Sequence, residues 1–210
     1  MKLYHFGRAP NARRARVFSA EKGIDLELIE VDLGSRAQLN PDYAHKNAMA
    51  EVPALELDDG TLVTESNAIC RYLEGIQPEP ALFGTTALEQ AQITMWDRRV
   101  ELHGFLAVTE GFRNGNAFFK DRALTGPIDY PQIPQLAERG RKRFAAFLDL
   151  LETRLGESDY LAGPTFSIAD ITAAITCDFA RVIKMGPPFE GHPKLQAWLE
   201  RIMSRPSMSA

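Results

Sequence analysis

Two short segments, Glu51-Val52-Pro53 and Glu65-Ser66, carry groups that could bind a ligand with a carboxylate. Pro53 has no backbone N–H to donate, so it fits the start or the edge of a strand. If the Val52–Pro53 bond is cis, the N–H and C=O of Val52 can face outward into a cleft. Glu65 and Ser66 begin the next predicted helix, where unbonded N–H groups and the positive end of the helix dipole would hold a carboxylate. For Ser66 the alternative is an ordinary helix start.

Positive charge is concentrated around the first predicted helix, in Arg8, Arg13, Arg14 and Arg16. Cations at a helix N-terminus oppose the helix dipole, so the cluster is compatible with an anion-binding site. The alternative is a solvated helix face with one structural ion pair.

Length and composition exclude several classes of protein. The 210 residues are 45% hydrophobic and 25% charged, which is typical of one large folded domain or two small ones. The net charge of −4 does not favour a nucleic-acid partner. The chain contains neither a membrane-spanning stretch nor the apolar core of a secretion signal. The two cysteines, Cys70 and Cys177, make neither a disulfide framework nor a metal cluster. We therefore expect a cytoplasmic protein without a metal site.

The first 76 residues alternate between strand and helix patterns. LYHF (3–6) and LELIEV (26–31) have strand length, and the helical segment 11–22 between them ends at Gly23. PALEL (53–57) and TLV (61–63) flank Asp59-Gly60, a typical hairpin turn. Residues 69–76 return to helical spacing. This order, βαβ followed by ββα, predicts a mixed four-stranded sheet covered by helices.

From about residue 86 the hydrophobic period is helical throughout. We predict an α/β domain over 1–76, a Pro- and Gly-containing linker over 77–86 and an all-α bundle over 87–210. The helical half is interrupted at 112–134, a break that carries Phe112, Phe118 and Phe119. Loops of this length are often functional, although these rings could simply pack the loop down. Ser167 and Asp170 have the spacing of a structural capping box.

Several of these motifs together resemble cytosolic glutathione S-transferases of the bacterial type. They are APNARRARVFSAEKGI (9–24), VPAL (52–55) with TESNAICRYL (64–73), FSIADI (166–171) and HPKLQAWLERIMSRPS (192–207). The resemblance implies a thioredoxin-like N-terminal domain, an all-helical C-terminal domain and a homodimer. It also implies glutathione as a co-substrate in the N-terminal cleft, with no other cofactor.

The resemblance also implies roles for individual residues. Val52, beside cis Pro53, would pair with the cysteinyl backbone of glutathione, while Glu65 and Ser66 would hold its γ-glutamyl end. Gln38 corresponds to a position that contacts the glycyl end in some bacterial members.

Three further residues are weaker candidates for contacts with glutathione. His45 and Lys46 are cationic candidates for the glycyl carboxylate, with a solvated loop as the alternative. Asp97 could meet the ligand's amino group across the dimer interface, with ordinary helix packing as the alternative.

The sequence departs from the family pattern where many members place Tyr, Ser or Cys to hold the glutathione sulfur. Ala9 stands at the aligned Ser/Thr position and has no side-chain hydrogen to donate. Asn11 is the nearest polar residue, and a similar asparagine serves this purpose in some bacterial members, so we predict Asn11 as the catalytic residue. Tyr4 lies within the first strand, where packing is its default role. No Cys-x-x-Cys is present, which excludes a dithiol relay here.

We therefore expect a detoxification enzyme that conjugates the glutathione thiolate to a small hydrophobic electrophile. Arg8, Phe112, Phe118 and Phe119 are the expected lining of the electrophile pocket. Two alternatives stay open. One is a glutathione-dependent disulfide reductase, and the other is a non-catalytic protein that binds glutathione or another ligand.

Overall fold

The structure, a computed structural model, describes residues 1–185 and 189–210. It divides into two compact units. The first comprises Met1–Pro80, Leu124–Asp129 and Ser209–Ala210, and the second comprises Ala81–Ala123 and Tyr130–Met208. The point at which the first unit gives way to the second therefore lies inside the segment 77–86. Residues 124–129 fall within the range predicted for the helical domain and lie in the first unit.

The first unit contains the predicted mixed sheet. Its elements are β1 (Lys2–His5), α1 (Pro10–Glu21), β2 (Glu27–Glu30), a 3-10 turn (Ala37–Leu39), α2 (Pro41–Ala44), β3 (Ala54–Glu56), β4 (Leu62–Thr64) and α3 (Ser66–Ile76). The strand order is β2-β1-β3-β4, with β1 and β2 parallel and the other pairs antiparallel. This confirms the thioredoxin-like βαβ–ββα arrangement.

Local sequence explains where these elements end. Gly23 adopts φ +64° just after α1, a conformation that costs glycine little. Gly60 adopts φ +86° in the β3–β4 hairpin, and the Asp59 carboxylate accepts the N–H of Thr61 at 2.8 Å. The core of the unit consists of fully buried side chains from the sheet and from both long helices: Leu3, Phe18, Leu55, Ile69 and Leu73.

The second unit is helical. It contains α4 (Ala87–Arg99), a π-helical segment (Val100–Phe105), α5 (Leu106–Gly115), α6 (Pro134–Leu155), α7 (Ile168–Val182) and α8 (Pro193–Met203), with 3-10 turns at Ala117–Phe119, Phe189–Gly191 and Pro206–Ser209. Gly140 of α6 lets α5 and α6 approach closely, because a Cβ there would lie 2.6 Å from the Gly111 nitrogen. Among the described residues, none of the helices has the length and apolarity needed to cross a membrane.

The predicted break at 112–134 is shorter than expected, because α5 continues to Gly115. The remainder contains a loop closed at its neck, where the Ala123 N–H donates to the Tyr130 carbonyl at 3.0 Å. The Arg113 side chain donates to the carbonyls of Arg122 and Ala123 at 2.5 and 3.1 Å. Side-chain hydrogen bonds from Arg113 therefore contribute to the order of this segment.

The Ser167–Asp170 capping box is present at the start of α7. The Asp170 carboxylate accepts the N–H and O–H of Ser167 and the N–H of Leu161, each at 3.0 Å. Complete burial raises the pKa of Asp170 to about 6, against the lowering effect of these bonds. The motif is structural, as predicted.

Candidate functional site

The turn from β1 into α1 leaves the start of α1 without a side-chain cap. Ala9 is the N-cap residue, and its carbonyl accepts the N–H of Arg13 at 2.9 Å as the first helical hydrogen bond. Pro10 has no N–H, and the N–H groups of Asn11 and Ala12 precede that first bond. The beginning of α1 therefore directs backbone donors and the positive end of its dipole out of the helix.

Asn11, the predicted catalytic residue, is the second residue of α1 and is half-buried. Ala9 packs against an apolar cluster that contains Val31, Tyr43 and Val52. The structure therefore brings the start of α1 to the Val52–Pro53 segment. The part that Asn11 plays in catalysis stays a prediction.

Arg16 is a structural residue of the β1–α1 turn and is buried. Its guanidinium bonds the Nδ1 of His5 at 3.0 Å and the carbonyl of Gly7 at 3.1 Å. Glu30 completes the network, with its carboxylate 3.3 Å from the Nε2 of His5 and from the Gly7 nitrogen. Burial and the nearby Arg16 charge lower the pKa of His5, against the raising effect of Glu30. Arg16 is therefore a structural residue and not part of an anion-binding cluster.

Arg14 binds the candidate ligand residue Ser66 across 52 positions of sequence. Its Nε and Nη2 donate to the Ser66 Oγ at 3.1 and 2.5 Å, and both residues are buried. A hydroxyl oxygen has two lone pairs, so two N–H donors leave its hydrogen free to be donated elsewhere. Sequence reasoning missed this role of Arg14. The available signal was its position four residues before Phe18, on the buried face of α1.

Glu65 is the N-cap residue of α3, and its backbone has a strained conformation with φ 67° and ψ 117°. Side-chain-bearing residues rarely occupy this region, and such outliers concentrate at functional sites. The first helical bond of α3 joins the Ile69 N–H to the Glu65 carbonyl at 2.9 Å, and the N–H groups of the helix's first turn precede this bond. The exposed Glu65 carboxylate and the buried Ser66 hydroxyl therefore meet at an uncapped helix start.

The Glu51–Val52–Pro53 segment is held from several directions. The Val52–Pro53 peptide is cis. The Glu51 carbonyl accepts the Tyr43 hydroxyl at 2.5 Å and the Asn47 Nδ2 at 2.9 Å, and the Glu51 carboxylate accepts the Thr125 hydroxyl. The segment thus has a fixed conformation in the first unit.

The candidates for a ligand's glycyl end are placed less favourably. The Oε1 of Gln38 is buried, and no described residue donates a hydrogen bond to it. Lys46 pairs with Glu56 at 2.7 Å, a bond that raises the pKa of Lys46 and lowers that of Glu56. The Tyr4 hydroxyl donates to the same Glu56 carboxylate at 2.8 Å, and His45 bonds the Pro41 carbonyl at 2.7 Å. The charge of Lys46 is therefore already paired with Glu56, which makes Lys46 a less favourable site for a ligand carboxylate.

The aromatic candidates form a cluster in the second unit. The ring of Phe119 meets Phe112 and Phe118 edge-on at 5.0 and 5.1 Å, and Phe112 meets Phe179 at 5.6 Å. Phe118 is 69% exposed, so an apolar ligand could reach this cluster. Arg8, the fourth predicted pocket residue, lies exposed in the first unit.

The prediction that Asp97 meets the ligand's amino group across a dimer interface is wrong. Asp97 is only 2% exposed, and its carboxylate accepts the Thr172 hydroxyl at 2.6 Å inside the helical unit. The alternative reading of this residue, helix packing, is correct.

Neither metal-binding clusters nor reactive thiols are found in the described part of the chain. Its residues contain no group of three or more His, Cys, Asp or Glu side chains that could hold a metal. Both cysteines are free and buried, and burial raises the pKa of Cys177 to about 12. Thiol chemistry at this site would therefore need a thiol supplied by a ligand.

Comparison with known families gives matches in both halves of the chain. Residues 3–81 match the family model of the glutathione S-transferase N-terminal domain, and residues 134–201 match that of the C-terminal domain. Glutathione S-transferase 2 of Saccharomyces cerevisiae is 32% identical over 210 residues, covering 99% of this chain and 88% of the relative.

Solved structures agree with these matches. A glutathione S-transferase domain-containing protein from Marinobacter aquaeolei superposes with a TM-score of 0.91 at 33% identity, covering 99% of this chain and all of the other. The β-etherase LigF from Sphingobium superposes with a TM-score of 0.84 at 25% identity, covering 99% of this chain and 96% of the other.

The strain at Glu65 can be measured by comparing two substitutions that remove the same carboxylate. We expect Glu65→Gly to have a free energy of unfolding about 1 kcal/mol higher than Glu65→Ala, because glycine tolerates the positive φ. Urea denaturation of both variants provides the measurement. A Glu65→Gly protein no more stable than Glu65→Ala would show that the conformation is not strained.

Proposed function

Because the chain belongs to the glutathione S-transferase family, we propose that it bonds the sulfur of glutathione to a small hydrophobic electrophile. The observation that carries the proposal is the pair of uncapped helix starts, α1 and α3, beside the Val52–Pro53 segment. They supply positive dipole ends and backbone donors, which suit a thiolate and a carboxylate. The chain's own cysteines take no part.

The γ-glutamyl end of glutathione is assigned to the start of α3. Its carboxylate would accept the Ser66 hydroxyl hydrogen, which the two bonds from Arg14 leave available, together with N–H groups of the first turn. The Glu65 carboxylate would pair with the ammonium group. Val52 would hydrogen-bond the cysteinyl backbone through its own main chain.

The sulfur is assigned to the start of α1. A free thiol has a pKa near 8.5, so only a few per cent is thiolate at neutral pH. Lowering that pKa by about two units needs roughly 2.7 kcal/mol of preferential stabilisation of the thiolate. The dipole of α1 and the Asn11 amide would supply it, since Ala9 has no hydrogen to donate. The thiolate would then form a carbon–sulfur bond with the electrophile, and a displaced leaving group would take the bonding electrons.

Turnover of different substrates with glutathione distinguishes three reaction types. Transfer to a chloronitroaromatic supports conjugation, and reduction of a small disulfide supports the reductase alternative. The likeness to a β-etherase adds cleavage of an ether as a third reaction. Glutathione binding without any turnover would indicate a binding protein.

We also propose that the protein is a homodimer. Leu88, Met95, Leu102 and Leu106 recur at spacings of seven, seven and four residues through α4, the π-helical segment and α5, and each is at least 40% exposed. Such an apolar row on one helical face is typical of a protein interface. A second copy of the chain would cover it.

Ser66→Ala tests the assigned γ-glutamyl site. We expect it to weaken glutathione binding by roughly 1.5–3 kcal/mol, the range for a hydrogen bond to a charged group. Calorimetry measures the affinity, and Ser204→Ala, which removes an exposed hydroxyl in the second unit, is the control. Unchanged affinity in Ser66→Ala would place the γ-glutamyl end elsewhere.

Asn11→Ala tests the assigned sulfur site. The pKa of the bound thiol should rise, so that thiolate absorbance appears at higher pH than in the wild-type complex. Turnover should fall while glutathione affinity changes little, because binding is anchored at Val52, Glu65 and Ser66. A titration identical to that of the wild type would assign the effect to the helix dipole or to Arg8 or Arg13.

Leu102→Glu tests the dimer. Burying a charge at an apolar interface is costly, so light scattering should give a mass near the 23.4 kDa of one chain. The control is Leu150→Glu on α6, because Leu150 is 39% exposed and Leu102 is 40% exposed. A wild-type mass near that of one chain would overturn the proposal.

A further inference from the structure

We propose that Tyr43 and Asn47 are positioning residues for glutathione, because they fix the direction in which the Val52 N–H points. The inference rests on the proposed function, in which Val52 pairs with the cysteinyl backbone of the ligand. Neither side chain need touch glutathione itself. Both act through the carbonyl of Glu51.

The geometry of one peptide unit carries the argument. The Glu51–Val52 peptide is trans, and in a trans peptide the C=O of one residue and the N–H of the next point in opposite directions. The Glu51 carbonyl points toward two buried side chains, Tyr43 and Asn47, which are 6% and 5% exposed. The Val52 N–H must therefore point away from them. It makes no hydrogen bond to another backbone group in the described chain.

Two donors saturate the Glu51 carbonyl. The Tyr43 hydroxyl lies 2.5 Å from it and the Asn47 Nδ2 lies 2.9 Å from it, which accounts for both oxygen lone pairs. Rotation of the peptide unit would break both bonds and leave buried donors without a partner. Burial raises the pKa of Tyr43 to about 12, so its phenol remains a donor at neutral pH.

Local structure explains why the two side chains act together. Tyr43 and Asn47 are four residues apart, and the Asn47 N–H donates to the Tyr43 carbonyl at 3.1 Å, as in a helical turn. Residues at this spacing share one helical face. The Asn47 Oδ1 accepts the Met49 N–H at 3.0 Å, which orients the amide with its Nδ2 toward Glu51.

The test uses one substitution for each donor. Tyr43→Phe removes the hydroxyl oxygen alone. Asn47→Asp keeps the acceptor for Met49 and replaces the donor with an oxygen that repels the Glu51 carbonyl. The matched control is Tyr4→Phe, because the Tyr4 ring lies 5.9 Å from the Tyr43 ring and its hydroxyl bonds Glu56 instead.

Two measurements separate positioning from simple loop packing. By calorimetry, we expect each of Tyr43→Phe and Asn47→Asp to bind glutathione about tenfold more weakly, the effect of one hydrogen bond, and Tyr4→Phe to bind as the wild type does. By NMR, the Val52 amide proton should shift downfield when glutathione is added to wild type, and this shift should shrink in both variants.

The outcomes distinguish this inference from the proposed function. If wild type fails to bind glutathione, the proposed function fails, and the inference fails with it. If wild type binds and both variants bind equally well with an unchanged Val52 shift, only the inference is overturned. Weakening by Tyr4→Phe to the same extent would also overturn it. Should Tyr43→Phe not fold, Asn47→Asp decides the outcome through the same two measurements.

Discussion

The site depends on two helices that begin without side-chain caps. At two other helices a side chain accepts first-turn N–H groups. The Thr86 hydroxyl accepts that of Glu89 at α4, and the Glu152 carboxylate accepts those of Lys194 and Leu195 at α8. At α1 and α3 the corresponding residues, Ala9 and Glu65, provide no such bond. Unpaired donors at a helix start have a cost that an anionic ligand can remove. The starts of α1 and α3 therefore suit the anionic groups of the proposed ligand.

Two buried arginines, Arg14 and Arg16, connect the starts of α1 and α3 to the rest of the first unit through hydrogen bonds inside the protein. Arg14 is occupied by the Ser66 hydroxyl, and Arg16 is occupied by His5 and Gly7. A buried charge is costly unless it is paired or hydrogen-bonded, so both side chains have defined positions. Arg14 joins α1 to α3 and Arg16 joins α1 to the end of β1. The relative placement of the two helix starts is thus fixed by guanidinium groups that face inward.

The sequence predicted the features that depend on neighbouring residues, and it did not predict the contacts between residues far apart in the chain. The hairpin at Asp59-Gly60, the order of the strands and helices and the capping box at Ser167 are written within a few neighbouring residues. The bond between Arg14 and Ser66 joins residues far apart in sequence. Helical spacing from Phe18 indicates that Arg14 is buried, but it does not identify Ser66 as the partner. The partners of Lys46 and Asp97, which are Glu56 and Thr172, also lie on other elements, so local spacing could not identify them.

The absence of a hydroxyl at Ala9 determines how the proposed chemistry must work. A neutral amide and a helix dipole stabilise a thiolate less than a charged partner would, so the gain from lowering the thiol pKa is limited. Orientation then has to supply more of the rate, because holding a nucleophile in the attack geometry removes an entropic part of the barrier. In the proposed complex Ser66 would hold the γ-glutamyl end of glutathione, and Val52 would hold the backbone of the cysteinyl residue itself. Two rigid anchors would restrict the sulfur to the few positions that rotation of the cysteinyl side chain allows, and the start of α1 is the end proposed to select among them.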